Sequence, residues 1–143
     1  MRQYPTPPVS VMTAESESTF KLLVSGSRSI KNDAWVRDTL NTVVATLPRA
    51  PTLLIHGGAI GVDKLAGKWA MQRDLAVKVV NPDFKKWPIG KYRWKAYGVR
   101  DKEMVDEADT VVCLWDGRSK GTRLTMEYAE EKGKFAKVVY YHT

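Results

Sequence analysis

One cysteine, Cys113, and two histidines, His56 and His142, are the only thiol and imidazole metal ligands in this 143-residue chain. A lone thiol excludes a disulfide framework, and so few soft ligands exclude a structural zinc site, so no metal is expected. No apolar run reaches the roughly 18 residues that a spanning helix requires, so no membrane association is expected. Near the N-terminus, Arg2 is followed by prolines and Ser/Glu rather than the apolar core of a secretory signal, and a reducing, cytoplasmic setting is expected. Acidic residues are in deficit: 16 Asp and Glu face 23 Lys and Arg, for a net charge of +7. A positive field attracts phosphorylated small molecules and nucleic acids alike. Two nucleotide fingerprints are missing as well. No G-x-G-x-x-G follows the first apolar run, which removes the nicotinamide-dinucleotide signature. Gly67-Lys68 imitates a Walker motif, but Gly61 lies six positions before Gly67 and Trp69 stands where Ser or Thr belongs, so this is no P-loop.

What is present reads as one domain. Residues 1–19, with Pro5, Pro7 and Pro8 and a Ser/Thr/Glu-rich stretch, are too polar to bury a core and are expected to form a mobile tail. From residue 20 onward, short apolar runs alternate with helical patterns. Strands are predicted at Phe20–Val24, Thr52–His56, Ala76–Val80, Asp109–Trp115 and Ala136–Tyr141. Helices are predicted from Asn32 or Asp33 to Leu47, Val62 to Arg73, Tyr97 to Ala108 and Arg123 to Lys132, with residues 83–97 irregular. The strands are continuous apolar runs, which implies a mostly parallel five-stranded sheet covered on both faces: a three-layer, Rossmann-like α/β fold. Right-handed crossovers then gather every strand-to-helix loop at one sheet edge, where such folds bind ligands.

Three of those loops are rich in glycine and small polar residues. Gly26, Ser27 and Arg28 after the first strand offer exposed amides, a hydroxyl and a guanidinium able to grip a phosphate, or form an ordinary tight turn. After the second strand, His56, Gly57, Gly58, Ala59 and Gly61 leave amides uncovered beside a helix N-terminus. Asp63 falls in the first turn of that helix, where satisfying free amides is its simplest role, and His56 is either a packed side chain or an acid/base. After the fourth strand, Gly117, Ser119, Lys120, Gly121 and Thr122 combine flexibility, hydroxyls and a cation, which suits phosphate or ribose phosphate.

Residues 84–102 interleave lysines and arginines with aromatic rings. Trp87, Lys91, Tyr92 and Trp94 are candidates for a lid over a nucleotide, with Arg100 helping to hold its phosphate. The same pattern also suits packing onto the domain, or a groove for single-stranded nucleic acid. Cys113 lies inside an apolar strand and is read as a small hydrophobe.

In order and spacing, Gly26-Ser27-Arg28, the run His56 to Asp63 (H-G-G-A-x-G-x-D) and Ser119-x-Gly121-Thr122 resemble the SLOG superfamily, most closely its YspA-like group. Gly90-Lys91 and the run Arg100 to Met104 are similar to a further stretch of that group, with Asp101 where Asn is usual. The resemblance covers residues 20–141 and implies a Rossmann-like fold with a pocket for nucleotides or nucleotide-derived signals, no required cofactor, and a homodimer as one possible assembly. Its distant relatives include phosphoribohydrolases and DNA-processing protein A. The phosphoribohydrolases carry a Glu three residues after the Thr of their glycine motif. Here that position is Thr125, and Glu127, two residues later, points about 200° away from it on a helix. Asp63, Asp83, Glu127 and His56 are therefore candidate acid/base groups with no evident catalytic pair. The reading that follows is a sensor or binder of a nucleotide-type ligand. A nucleotide-processing hydrolase and a single-stranded nucleic-acid binder are the alternatives.

Overall fold

The computed structural model describes residues 19–142, and the tail expected at residues 1–19 lies essentially outside the described residues. The elements run β1 (Lys21–Gly26), α1 (Asp33–Ala45), β2 (Leu53–His56), α2 (Val62–Gln72), β3 (Ala76–Val79), α3 (Ile89–Glu107), β4 (Thr110–Trp115), α4 (Lys120–Glu131) and β5 (Phe135–Tyr140). The strands pair in the order β3-β2-β1-β4-β5, and every pairing is parallel. The chain therefore reverses its winding between β1 and β4, and a crevice opens above their carboxyl ends.

Alternation along the strands splits the core into two layers. Leu22 and Val24 of β1 and Leu54 of β2 meet Val36, Leu40 and Val43 of α1 and Ala66, Trp69 and Ala70 of α2. Leu23, Ile55, Val111 and Cys113 face the other way, onto Met104 and Val105 of α3 and Ala129 of α4. Helices thus cover both faces of the sheet, giving three layers. Cys113 is fully buried, and that burial pushes its thiol well above the ordinary range, in keeping with a small hydrophobe. Asn32 starts α1 by accepting the Trp35 amide on its side chain at 3.0 Å, as its residue type predicts.

One expectation is corrected. Residues 89–97 are not irregular: α3 begins at Ile89, directly after Pro88, and is kinked at Tyr92 (φ −117°, ψ 27°). Lys91 through Lys95 are all exposed, and Ala96 is the first buried residue of the helix. A helical segment that buries nothing leaves no apolar periodicity to read. Similarly, α4 starts at Lys120, three residues before the predicted Arg123, because the first turn is polar.

Candidate functional site

The loops after β1, β2 and β4 are locked together by backbone contacts before any side chain is considered. Gly61 sits at φ +85°, and a Cβ there would lie 2.6 Å from the Ser27 carbonyl oxygen and 2.7 Å from Arg28 Cα. Only glycine permits both the left-handed backbone and this crossing. The Val62 amide donates to Ser27 O at 3.3 Å, and the Ser27 amide donates to Leu114 O at 3.1 Å. Ser27 is itself buried, and its Oγ accepts the Asp116 amide at 3.0 Å. Asp116 completes the join. It accepts from Ser29 Oγ at 2.7 Å and from the amides of Arg118 and Ser119, each at 2.8 Å. These hydrogen bonds hold its carboxyl far below the usual carboxylate range, although burial acts in the opposite direction.

Beside this junction lies a charged network around Arg100, which is buried. Its Nη1 donates to the carbonyls of Gly57 at 2.7 Å and Val80 at 3.2 Å, and its Nε donates to Asp101 Oδ1 at 2.7 Å. Gly57 allows this approach, since a Cβ there would stand 2.7 Å from Nη1. Asp63 reaches back from the first turn of α2, and its Oδ2 accepts the amides of Gly57 at 3.1 Å and Ala59 at 3.3 Å. Burial raises its carboxyl to about 6, against the opposing pull of those amides and of Arg100. Burial likewise raises Asp101, opposed by Arg100 and by the hydroxyl of Thr125.

His56 belongs to the same loop and holds its backbone in place. Its Nδ1 accepts the Gly58 amide at 2.9 Å, and its Nε2 edge packs against Gly67. Burial, then Arg100 and Lys64, lower its tendency to protonate, so the ring is a neutral acceptor.

Above the β1/β4 crevice, between α3 and α4, opens a cleft of about 940 Å³. Ser25, Gly26 and Ala59 form part of its floor; Arg28, Arg100 and Lys120 bring cations; Gly121, Thr122 and Thr125 line the α4 side. The α3 side presents Trp94, Tyr97 and Asp101, residues spaced three and four apart and therefore on one helical face. Tyr97 has the guanidinium of Arg28 and that of Arg100 each 5.5 Å from its ring centre. The volume falls in the range of small-molecule sites, and its place at the reversal of strand order is where such folds bind ligands.

Residues 20–87 match the family described as YspA, cpYpsA-related SLOG family. The chain is 34% identical over 116 residues to the Gene 61 protein of Mycobacterium phage D29, which spans 79% of this chain and 90% of the phage protein. The chain belongs to the YspA, cpYpsA-related SLOG family. Among solved structures, this SLOG fold is similar to DNA processing protein A from Streptococcus pneumoniae, with a TM-score of 0.65 at 18% identity over 86% of this chain. It spans about half, 51%, of that protein's length. It is also similar to DNA processing protein A from Helicobacter pylori, a structure titled for its single-stranded DNA binding mode, with a TM-score of 0.62 at 17% identity. That match covers 90% of this chain and 69% of the other.

Within the SLOG domain, the motif residues divide between the cleft and its frame. Gly26, Arg28, Ala59, Asp63, Arg100, Ser119, Lys120, Gly121, Thr122 and Trp94 line the cleft. Ser27, His56, Gly57, Gly58 and Gly61 stand behind that lining and shape it, while Gly117 also lies outside it. Trp87, Lys91 and Tyr92 lie off the cleft wall, with Trp87 and Tyr92 in edge-to-face contact at 6.0 Å. Asp83 is outside the cleft and accepts the amides of Lys85 and Lys86. Glu127 is exposed and also outside it. Sequence reasoning passed over Tyr97, Asp101 and Thr125 as cleft residues. The spacing Trp94, Tyr97, Asp101, Met104 was the available signal, hidden because the helix was expected to begin at Tyr97. Among the described residues, no cluster suited to a metal ion occurs, and no helix is long and apolar enough to cross a membrane.

Proposed function

We propose that this SLOG domain binds a nucleotide or nucleotide-derived phosphorylated ligand in the cleft above β1 and β4. The observation that carries the reading is convergence on that one cleft. The first-turn amides of α4, Lys120, Arg28 and Arg100 line the same cleft as the rings of Tyr97 and Trp94, with both guanidiniums beside the Tyr97 ring. Helix N-terminal amides and cations suit a phosphate, while aromatic faces suit a base. In Arg100, Nε and Nη1 are committed to Asp101, Gly57 and Val80, which fixes the guanidinium and leaves Nη2 for the ligand. A thermal-shift screen against nucleoside mono-, di- and triphosphates, NAD, ADP-ribose and cyclic nucleotides tests this. A ligand at 100 times its dissociation constant adds about 2.7 kcal/mol, a shift of several degrees in a domain of this size. A flat response to all of them overturns the reading.

Single-stranded DNA is the second reading, and one observation favours it. Trp94 is 81% exposed and has Arg93 beside its ring and Lys95 next in the chain. An uncovered ring among cations is a stacking platform for successive bases. The solved Helicobacter pylori neighbour, titled for single-stranded DNA binding, is consistent with it. Under this reading a short oligonucleotide binds with a steep salt dependence, and neutralising Lys85, Lys86, Arg93 and Lys95 flattens the slope. An unchanged slope excludes the basic segment 85–95 as the interface.

A further inference from the structure

Asp101 pairs with the buried Arg100 and lines the cleft, yet phosphate binding gives its carboxylate no part in holding a ligand. A carboxylate on the wall of an anion site opposes the anion, so its place there calls for a hydrogen-bond donor on the ligand. Its side chain keeps 25% exposure and lines the cleft, while Oδ1 is held by Arg100 Nε at 2.7 Å. Burial raises this carboxyl, while Arg100 and the hydroxyl of Thr125, on α4, favour its ionised form. A carboxylate offers about four acceptor positions, so these two donors leave acceptor capacity on a residue that lines the cleft.

Position decides what kind of donor it meets. Thr125 follows Thr122 by three residues on α4, so Asp101 faces α4 roughly one turn, about 5 Å, along from the first-turn amides assigned to phosphate. In a nucleotide the sugar hydroxyls lie at about that remove from the phosphate. We infer that Asp101 accepts hydrogen bonds from the ribose hydroxyls and selects ribonucleotides over 2′-deoxynucleotides. The inference rests on the nucleotide reading above. It also bears on the second reading, because a fixed carboxylate disfavours a phosphodiester chain laid across the same wall. Arg100 and Thr125 act here as positioning residues, holding the carboxylate in one orientation.

Isothermal titration of the full chain with AMP, GMP, CMP and UMP, each beside its 2′-deoxy counterpart, tests the inference. The best-bound ribonucleotide is expected to bind about tenfold tighter than its deoxy form, the worth of a hydrogen bond to a charged acceptor. In Asp101→Asn, which keeps the side-chain shape and an oxygen for Arg100 Nε, the preference falls to within about threefold. In Asp101→Ala it disappears. Equal binding of ribo and deoxy forms by the wild-type chain overturns the inference and leaves the nucleotide reading standing, and this arm needs no variant to fold. A preference that survives in folded Asp101→Ala also overturns it. Failure of all eight nucleotides to bind overturns the inference, and together with a flat thermal-shift screen it overturns the nucleotide reading as well.

Discussion

Arg100 Nη1 donates to the carbonyl oxygen of Gly57 at 2.7 Å, across 43 residues of chain. The same glycine gives its amide to Asp63 at 3.1 Å, so both sides of one residue are gripped by opposite charges. This pairing ties the β2 loop to α3 and so sets one wall of the cleft against its floor. A buried guanidinium held by two carbonyls and a carboxylate is costly to disturb, since any lost partner leaves a charge uncompensated.

Gly57→Ala is therefore expected to destabilise the fold by about 2 kcal/mol, the scale of overpacking. The new Cβ would stand 2.7 Å from Arg100 Nη1 and 3.0 Å from Asp63 Oδ2, and each of these buried groups can shift only by straining its hydrogen bonds to Gly57. Urea denaturation measures it. A loss near zero means that the network shifts easily and is not the clamp described.

Gly121 contrasts with Gly57, because nothing lies within 4 Å of a Cβ built there. Gly121→Leu should keep stability within about 1 kcal/mol of wild type, with helix propensity in its favour. It should nonetheless weaken nucleotide binding at least tenfold by filling the mouth of the cleft. Calorimetric titration beside a melting curve separates the two effects. Unchanged affinity would move the ligand away from the start of α4.

Asp63 gives a pH dependence of known sign. Its carboxyl lies near 6 in the folded chain against 3.8 ordinarily, so the native state keeps a proton that the unfolded chain has released. The stability this contributes is fully present below about pH 4 and is lost as pH rises through 6. Relative to Asp63→Asn, the wild-type chain should weaken by about 3 kcal/mol between pH 4 and pH 7, at about 1.4 kcal/mol per pH unit of displacement. Paired urea titrations across that range measure the difference. A constant difference would show that Asp63 titrates like a surface carboxylate.

Trp94→Ala should leave stability within about 0.5 kcal/mol of wild type, because the ring is 81% exposed. Loss of a stacking face costs about 1–3 kcal/mol of binding, or roughly fivefold to a hundredfold in affinity. Fluorescence titration with a mononucleotide and with a single-stranded oligonucleotide shows which ligand uses the ring. A variant indistinguishable from wild type toward both removes Trp94 from either interface.

The sequence by itself determined the parallel α/β architecture and the three glycine-rich loops at one edge of its sheet. Runs such as Leu22 to Val24 and Val111 to Leu114 can be satisfied only inside a sheet covered on both faces, and chain connectivity then puts the loops on one side. The motif order was legible for the same local reason: turns and helix starts write their requirements into adjacent residues. Tertiary structure alone decided which motif residues line the cleft and which stand behind it. Ser27, His56 and Gly61 were candidate ligand residues in the linear chain, and the fold sets them against Asp116, Gly58 and Arg28. Asp101 and Tyr97 emerged as cleft residues only once α3 was seen to continue past its buried portion, with one face turned toward α4. Burial and opposition across 20 to 89 residues of chain are not properties of any local stretch, so the Arg100 network and the Ser27–Asp116 junction required the folded molecule.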